Sequence, residues 1–80
     1  MTASPARAAE TIERSQAVRR AVTSLPPDLR KVVVMKEFEE LTFQEIADVL
    51  DVPLSTVKSR LYTALRQLQM RLQNFDDSHA

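Results

Sequence analysis

Lys58, Ser59, Tyr62, Thr63 and Arg66 place two cations, two hydroxyls and a phenol within nine residues, a set equipped for hydrogen bonding and ion pairing rather than bond breaking. Taking Val57 as reference and turning about 100° per residue, Ser59, Tyr62, Thr63 and Arg66 fall on one side of a helix. Val57, Leu61, Ala64, Leu68 and Leu72 fall on the other, and Leu65 is counted with this buried stripe. Lys58 and Arg60 lie on the two flanks, where long cationic side chains reach outward to phosphates or inward to base edges. Hydroxyls, an aromatic ring and cations on one helical face suit the major groove of DNA. A plainer reading is a solvated polar face, which any surface helix carries; Tyr62 is as well suited to covering the core rim, and Met70 to an incidental outward position.

The segment before this helix favours the groove. Thr42 and Glu45 make a Thr-x-x-Glu capping box, hydroxyl to backbone amide and carboxylate back to backbone amide, so a short helix starts at Phe43. Ile46, Ala47 and Leu50 repeat at helical spacing, and the small Ala47 lets a second helix cross closely. Asp51 stands where the exit from a helix takes a left-handed conformation, and Pro53 prevents continuation. Ser55 or Thr56 is then expected to cap the next helix with its hydroxyl. Two short-linked helices, each end separately specified, form a helix-turn-helix.

Upstream, Ser4-Pro5 opens a helix whose apolar positions Ala8, Ile12, Val18, Ala21, Val22 and Leu25 are sparse before Ala17. Leu25-Pro26-Pro27-Asp28 stops it and starts the next. The run Val32-Val33-Val34-Met35 makes that second helix apolar nearly all round; a buried strand is the alternative on β propensity alone, but Leu29, Phe38 and the flanking charges favour helix. The expected fold is therefore all-α: one domain over 1–80, with helices at 5–23, 27–38, 43–50 and 55–73, a C-terminal helix-turn-helix and a disordered polar tail at 74–80.

Composition narrows the function. The 80 residues contain neither Cys nor Gly, and His79 is the single imidazole, which leaves no disulfide, cysteine-held metal or glycine-rich phosphate loop. No nucleophile–base pair, metal constellation or convergent carboxylate pair is evident, so no catalytic residue, cofactor or enzymatic activity is expected. The longest apolar run is far short of the ~20 residues of a membrane span, and no signal-peptide core precedes it; a cytoplasmic location is expected. Eleven cationic and eleven anionic side chains cancel, but not locally. Glu37, Glu39, Glu40, Glu45, Asp48 and Asp51 cluster upstream, whereas Lys58, Arg60, Arg66 and Arg71 occupy a stretch from Val52 to Phe75 without any acid. Such a basic helix gives a narrow DNA contact, weak in isolation. The acidic cluster reads as a solvated face.

Taken together, Leu25-Pro26-Pro27-Asp28-Leu29-Arg30, Glu45-Ile46-Ala47 and Thr56-Val57-Lys58-Ser59-Arg60-Leu61, in this order and spacing, resemble region 4 of sigma-70 family factors of the extracytoplasmic-function group. The resemblance spans about Val18 to Leu72. It implies the winged-helix-like architecture of sigma region 4, without a wing, and a bacterial module that docks on the β flap of RNA polymerase core and reads the upstream (minus 35) promoter element. It further implies that Lys58, Ser59, Tyr62 and Thr63 face bases or the groove, joined by Arg66 from the helical angles. Lys36, Phe43, Ser55, Thr56 and Arg60 are then placed near the DNA backbone. Such factors also carry a second conserved region that nothing here resembles, so the chain is expected to be one module of a longer factor, a monomer whose DNA binding needs polymerase to hold it. An anti-sigma factor is a further implied partner, with part of Val32 to Met35 and the first-helix face as a surface for either protein, unless the second helix is simply the central core helix, which is the plainer reading of its apolar run. The family commonly has Gly where Ser55 stands and basic residues where Thr63 and Leu65 stand, which implies fewer ionic contacts here. Two other readings remain: the DNA-binding domain of a LuxR-type response regulator, which shares the Glu-Ile-Ala and Thr-Val-Lys signature but dimerises on half-sites, and a helical protein-interaction module that reads no DNA.

Overall fold

The computed structural model describes residues 5–79, so the expected cap at Ser4 lies outside the described residues. In chain order the elements are α1 (Pro5–Thr23), α2 (Pro27–Val33) running directly into a π-helical turn (Val34–Phe38), α3 (Phe43–Leu50) and α4 (Leu54–His79). There is no strand among the described residues.

α1 meets the core only through its C-terminal half. Ala17, Ala21 and Val22 are buried, whereas Ala8 and Ile12, counted above as apolar anchors, are exposed, Ile12 by 58%. The end of α1 is closed locally: Ser24 N donates to the Arg20 carbonyl, the Ser24 hydroxyl to that of Ala21, and Arg30 Nη1 reaches the Thr23 carbonyl at 3.1 Å. These bonds satisfy carbonyls that a helix end otherwise leaves unpaired. Pro26 is extended (φ −53°, ψ 148°) and Pro27 takes the first turn of α2, where its missing amide costs nothing.

α2 is the central helix. Leu29, Val32 and Val33 are buried against α4, and Val32 has no exposed surface at all. The apolar run is not buried all round, because Val34 and Met35 are only half-buried. From Val34 the helix widens into a π turn, with Glu39 N donating to Val34 O and Leu41 N to Met35 O. Glu40 completes the exit in a left-handed conformation, φ 59°, an arrangement that costs a residue with a Cβ about 1 kcal/mol or more.

α3 is capped as its sequence requires. Thr42 Oγ1 accepts from Glu45 N at 3.1 Å, and Thr42 N donates to Glu45 Oε1 at 2.9 Å. This pairing is why the Glu45 carboxyl is held below its ordinary value, first by the Thr42 backbone amide and then by the Thr42 side chain. Asp51 ends the helix at φ 55°, ψ 51°, and both its amide and that of Val52 close on the Ala47 carbonyl. Ile46 and Ala47 are buried where α3 crosses α4.

α4 departs from expectation at both ends. It starts at Leu54, with the Pro53 carbonyl accepting from Thr56 N and Val57 N. Ser55 and Thr56 therefore sit inside the first turn and do not cap it. At the other end the helix does not stop near Gln73 to leave a disordered tail at 74–80; it continues to His79. No Gly or Pro follows Pro53 to break it, and Phe75, three residues beyond the half-buried Leu72, is itself half-buried and extends the apolar side. Val57, Leu61, Ala64 and Leu68 form the buried seam, but Leu65 is 42% exposed and does not belong to it. At about 80° from Val57 it lies beside Lys58 rather than among the core residues.

Candidate nucleic-acid interface

The outward side of α4 is built by the same turns that bury its seam. Lys58, Ser59, Tyr62 and Arg66 are all exposed, Tyr62 by 59%, and Ser59, Tyr62 and Arg66 stand at i, i+3 and i+7, one stripe along the helix. Thr63 is half-buried; it sits at the margin of the stripe, turned toward the flank that carries Arg60. The chain from Val52 to Phe75 has no carboxylate to offset these groups.

Two of the other expected contact residues, Lys36 and Phe43, come together with Lys58. Lys36 Nζ lies 4.9 Å from the centroid of the Phe43 ring, and Lys58 Nζ lies 5.8 Å from it. The π turn, the first residue of α3 and the first turns of α4 thus meet at one half-buried aromatic ring. Lys36 Nζ also leans to within 3.5 Å of the Leu41 carbonyl oxygen, which ties it to the loop leading into α3. Ser55 is exposed and Thr56 half-buried at the start of α4. Arg60 does not join this group: its Nε is 3.9 Å from Asp28 Oδ2 at the start of α2, on the opposite flank.

Sequence reasoning listed Lys36, Phe43 and Lys58 separately and missed that they share a ring. It also missed Asp28 as a partner for Arg60. The acid-to-amide spacing that reveals a capping box has no counterpart for contacts between separate helices, so neither grouping had a local signal. The acids of α3 are exposed as expected, with Asp48 accepting from Gln44 Nε2 at 3.0 Å and Glu45 engaged by Thr42. No described helix is long and apolar enough to cross a membrane.

Comparison with known proteins gives this arrangement its context. The profile of the family described as Sigma-70, region 4 matches residues 15–68. The chain is similar to the ECF RNA polymerase sigma-E factor of Escherichia coli, 38% identical over 61 residues, covering 76% of this chain and 32% of that protein. It is similar also to the RNA polymerase sigma-H factor of Pseudomonas aeruginosa, 37% identical over 70 residues, covering 88% of this chain and 36% of that protein. The chain thus spans about a third of the length of these relatives. The matched span runs from the core-facing half of α1 through the buried seam of α4, taking in the capped turn and the whole outward stripe, and on these grounds the chain belongs to the region 4 family of sigma-70 factors, in the extracytoplasmic-function group.

Proposed function

We propose that this chain reads the minus 35 promoter element as the DNA-binding module of a bacterial sigma factor, directing RNA polymerase to initiate there. The observation that carries the reading is the exposed Ser59–Tyr62–Arg66 stripe on a helix braced from behind by α2 and α3. In this reading Ser59, Tyr62 and Arg66 enter the major groove with Thr63 at their margin, and hydroxyl, ring and guanidinium groups discriminate base edges there. Lys36, Phe43, Ser55, Thr56 and Arg60 line the approach to the sugar-phosphate backbone, which sets register without reading sequence.

The relatives are named as RNA polymerase factors, and polymerase core, through its β flap, is the partner proposed to hold the domain on DNA in the cytoplasm. The chain acts as a single monomeric domain, and an anti-sigma factor is the partner proposed to silence it. Holding matters physically. A chain with no net charge gains little from long-range attraction to DNA, whereas tethering turns a weak contact into an intramolecular one at high effective concentration.

The test is a selection of bound sequences by the parent factor on polymerase, repeated with Ser59→Ala and Arg66→Ala. An asymmetric consensus that loses information at particular positions in each variant supports the reading. A palindromic consensus, or one indifferent to both substitutions, overturns it.

A further inference from the structure

Two ammonium groups from different elements converge on one aromatic ring, and neither has a carboxylate partner among the described residues. Like charges drawn toward one point repel, so this arrangement has a use when an anion completes it. The ring compensates only in part, since a cation–π contact at an exposed site is worth about 0.5–1 kcal/mol. The backbone around it is fixed on every side: Lys36 is held within the π turn and leans on the Leu41 carbonyl, Phe43 follows the capping box, and Lys58 sits in the second turn of a long helix.

We propose, building on the DNA-binding reading above, that Phe43 is a positioning residue that gathers Lys36 and Lys58 into a two-pronged clamp for the phosphodiester backbone, so that Lys58 works on phosphate rather than on a base edge. The ring restricts two flexible four-carbon side chains before DNA arrives. Binding then loses less rotamer freedom, which is the gain that preorganisation gives any interface. Because one prong comes from the π turn and the other from α4, a phosphate held between them also fixes how far α4 enters the groove. Sequence discrimination is left to Ser59, Tyr62 and Arg66.

The test is a salt titration of DNA affinity with the full chain, on a duplex carrying the selected sequence and on an unrelated duplex of equal length. Phe43→Leu keeps an apolar side chain at a half-buried position but removes the ring face. It is expected to weaken binding to both duplexes about 5- to 30-fold at low salt and to lower the slope of log affinity against log salt by about 0.9 to 1.8, one to two phosphates' worth. Phe43→Tyr, which retains the ring, keeps both. In a K36A/K58A background Phe43→Leu has no further effect. A slope unchanged by Phe43→Leu, an equal loss in the K36A/K58A background, or a loss confined to the selected duplex overturns the clamp. A thermal melt accompanies each variant, and if Phe43→Leu fails to fold, the lysines decide alone: either single alanine variant costing nearly as much as both together supports the clamp, and simple additivity overturns it. Equal wild-type affinity for both duplexes would count against sequence reading while leaving the clamp standing, so the two proposals fail separately.

Discussion

Replacing Thr42 by Ala removes one half of the box that starts α3. The hydroxyl that accepts from Glu45 N at 3.1 Å is lost, while the amide that donates to Glu45 Oε1 at 2.9 Å remains. Loss of such a cap costs about 1 kcal/mol. For an 80-residue chain with about 0.05–0.15 kcal/mol of stability per residue, the total is about 4–12 kcal/mol, so the substitution removes roughly a tenth to a quarter of it. The melting temperature should fall by about 4–8 °C. Acid sharpens the test. The Glu45 carboxyl is held below its ordinary value, chiefly by the Thr42 backbone amide and secondly by its side chain. A group whose native value is lowered contributes stability that is present above the ordinary glutamate value and is lost as pH falls through the native one. Thr42→Ala keeps the backbone amide and therefore keeps most of this acid-linked loss, whereas Glu45→Gln abolishes it. Far-UV circular dichroism melts at neutral pH and at about pH 3 separate the two. An unchanged melting temperature in Thr42→Ala, or an acid sensitivity in Glu45→Gln equal to that of the wild type, would refute the reasoning.

Asp28→Asn should release Arg60 for DNA: the pair is long, 3.9 Å, with side chains 32% and 55% exposed, so its loss costs at most about 1 kcal/mol of stability. Affinity for duplex DNA should rise two- to fivefold and the salt slope by about 0.9, measured by fluorescence anisotropy, and the gain should vanish in an Arg60→Ala background; a gain that persists there assigns it to general charge and not to this pair. Glu40→Gly should relieve the left-handed strain at the exit from the π turn and raise stability by about 0.5–1 kcal/mol in urea unfolding. A lower urea midpoint for that variant would show the Glu40 side chain to be stabilising in a way its backbone angles do not reveal.

What the sequence made legible follows the reach of its physical signals. The Thr42–Glu45 box, the left-handed Asp51 and the block at Pro53 are local devices, each readable within four residues, and each forms as its chemistry dictates. α1 and α3 begin and end at the expected residues for the same reason, and the second helical segment starts at Pro27 and reaches Phe38 as expected, although its last five residues are a π turn. The rest depended on partners distant in the chain. Nothing in Val34–Phe38 announces a π turn, since the segment contains no Gly or Pro to break the helix. Glu40 gave no warning of positive φ, since Glu is a poor left-handed residue and the exit geometry imposes the conformation. Ser55 and Thr56 carried a strong capping signal that Pro53 pre-empted by supplying the first carbonyl. Within the site, the helical angles correctly put Ser59, Tyr62 and Arg66 outward, but Thr63 and Leu65, both near the edge between faces, were assigned to the wrong degree of burial. The meeting of Lys36, Lys58 and Phe43 and the pairing of Arg60 with Asp28 join residues from separate helices.

The unbroken course of α4 turns the domain into a lever. Its 26 residues extend about 39 Å at about 1.5 Å per residue, most of the 45 Å length of the molecule, with the exposed Ser59–Tyr62–Arg66 stripe toward one end and the turns beyond Leu68 at the other. A stiff rod pivoting by about 10° at its far end displaces its near end by roughly 7 Å, the rise of about two base pairs. In the proposed DNA-bound arrangement, whatever grips the last turns of α4 aims the Ser59–Tyr62–Arg66 end, and small changes in that grip would choose which bases it meets.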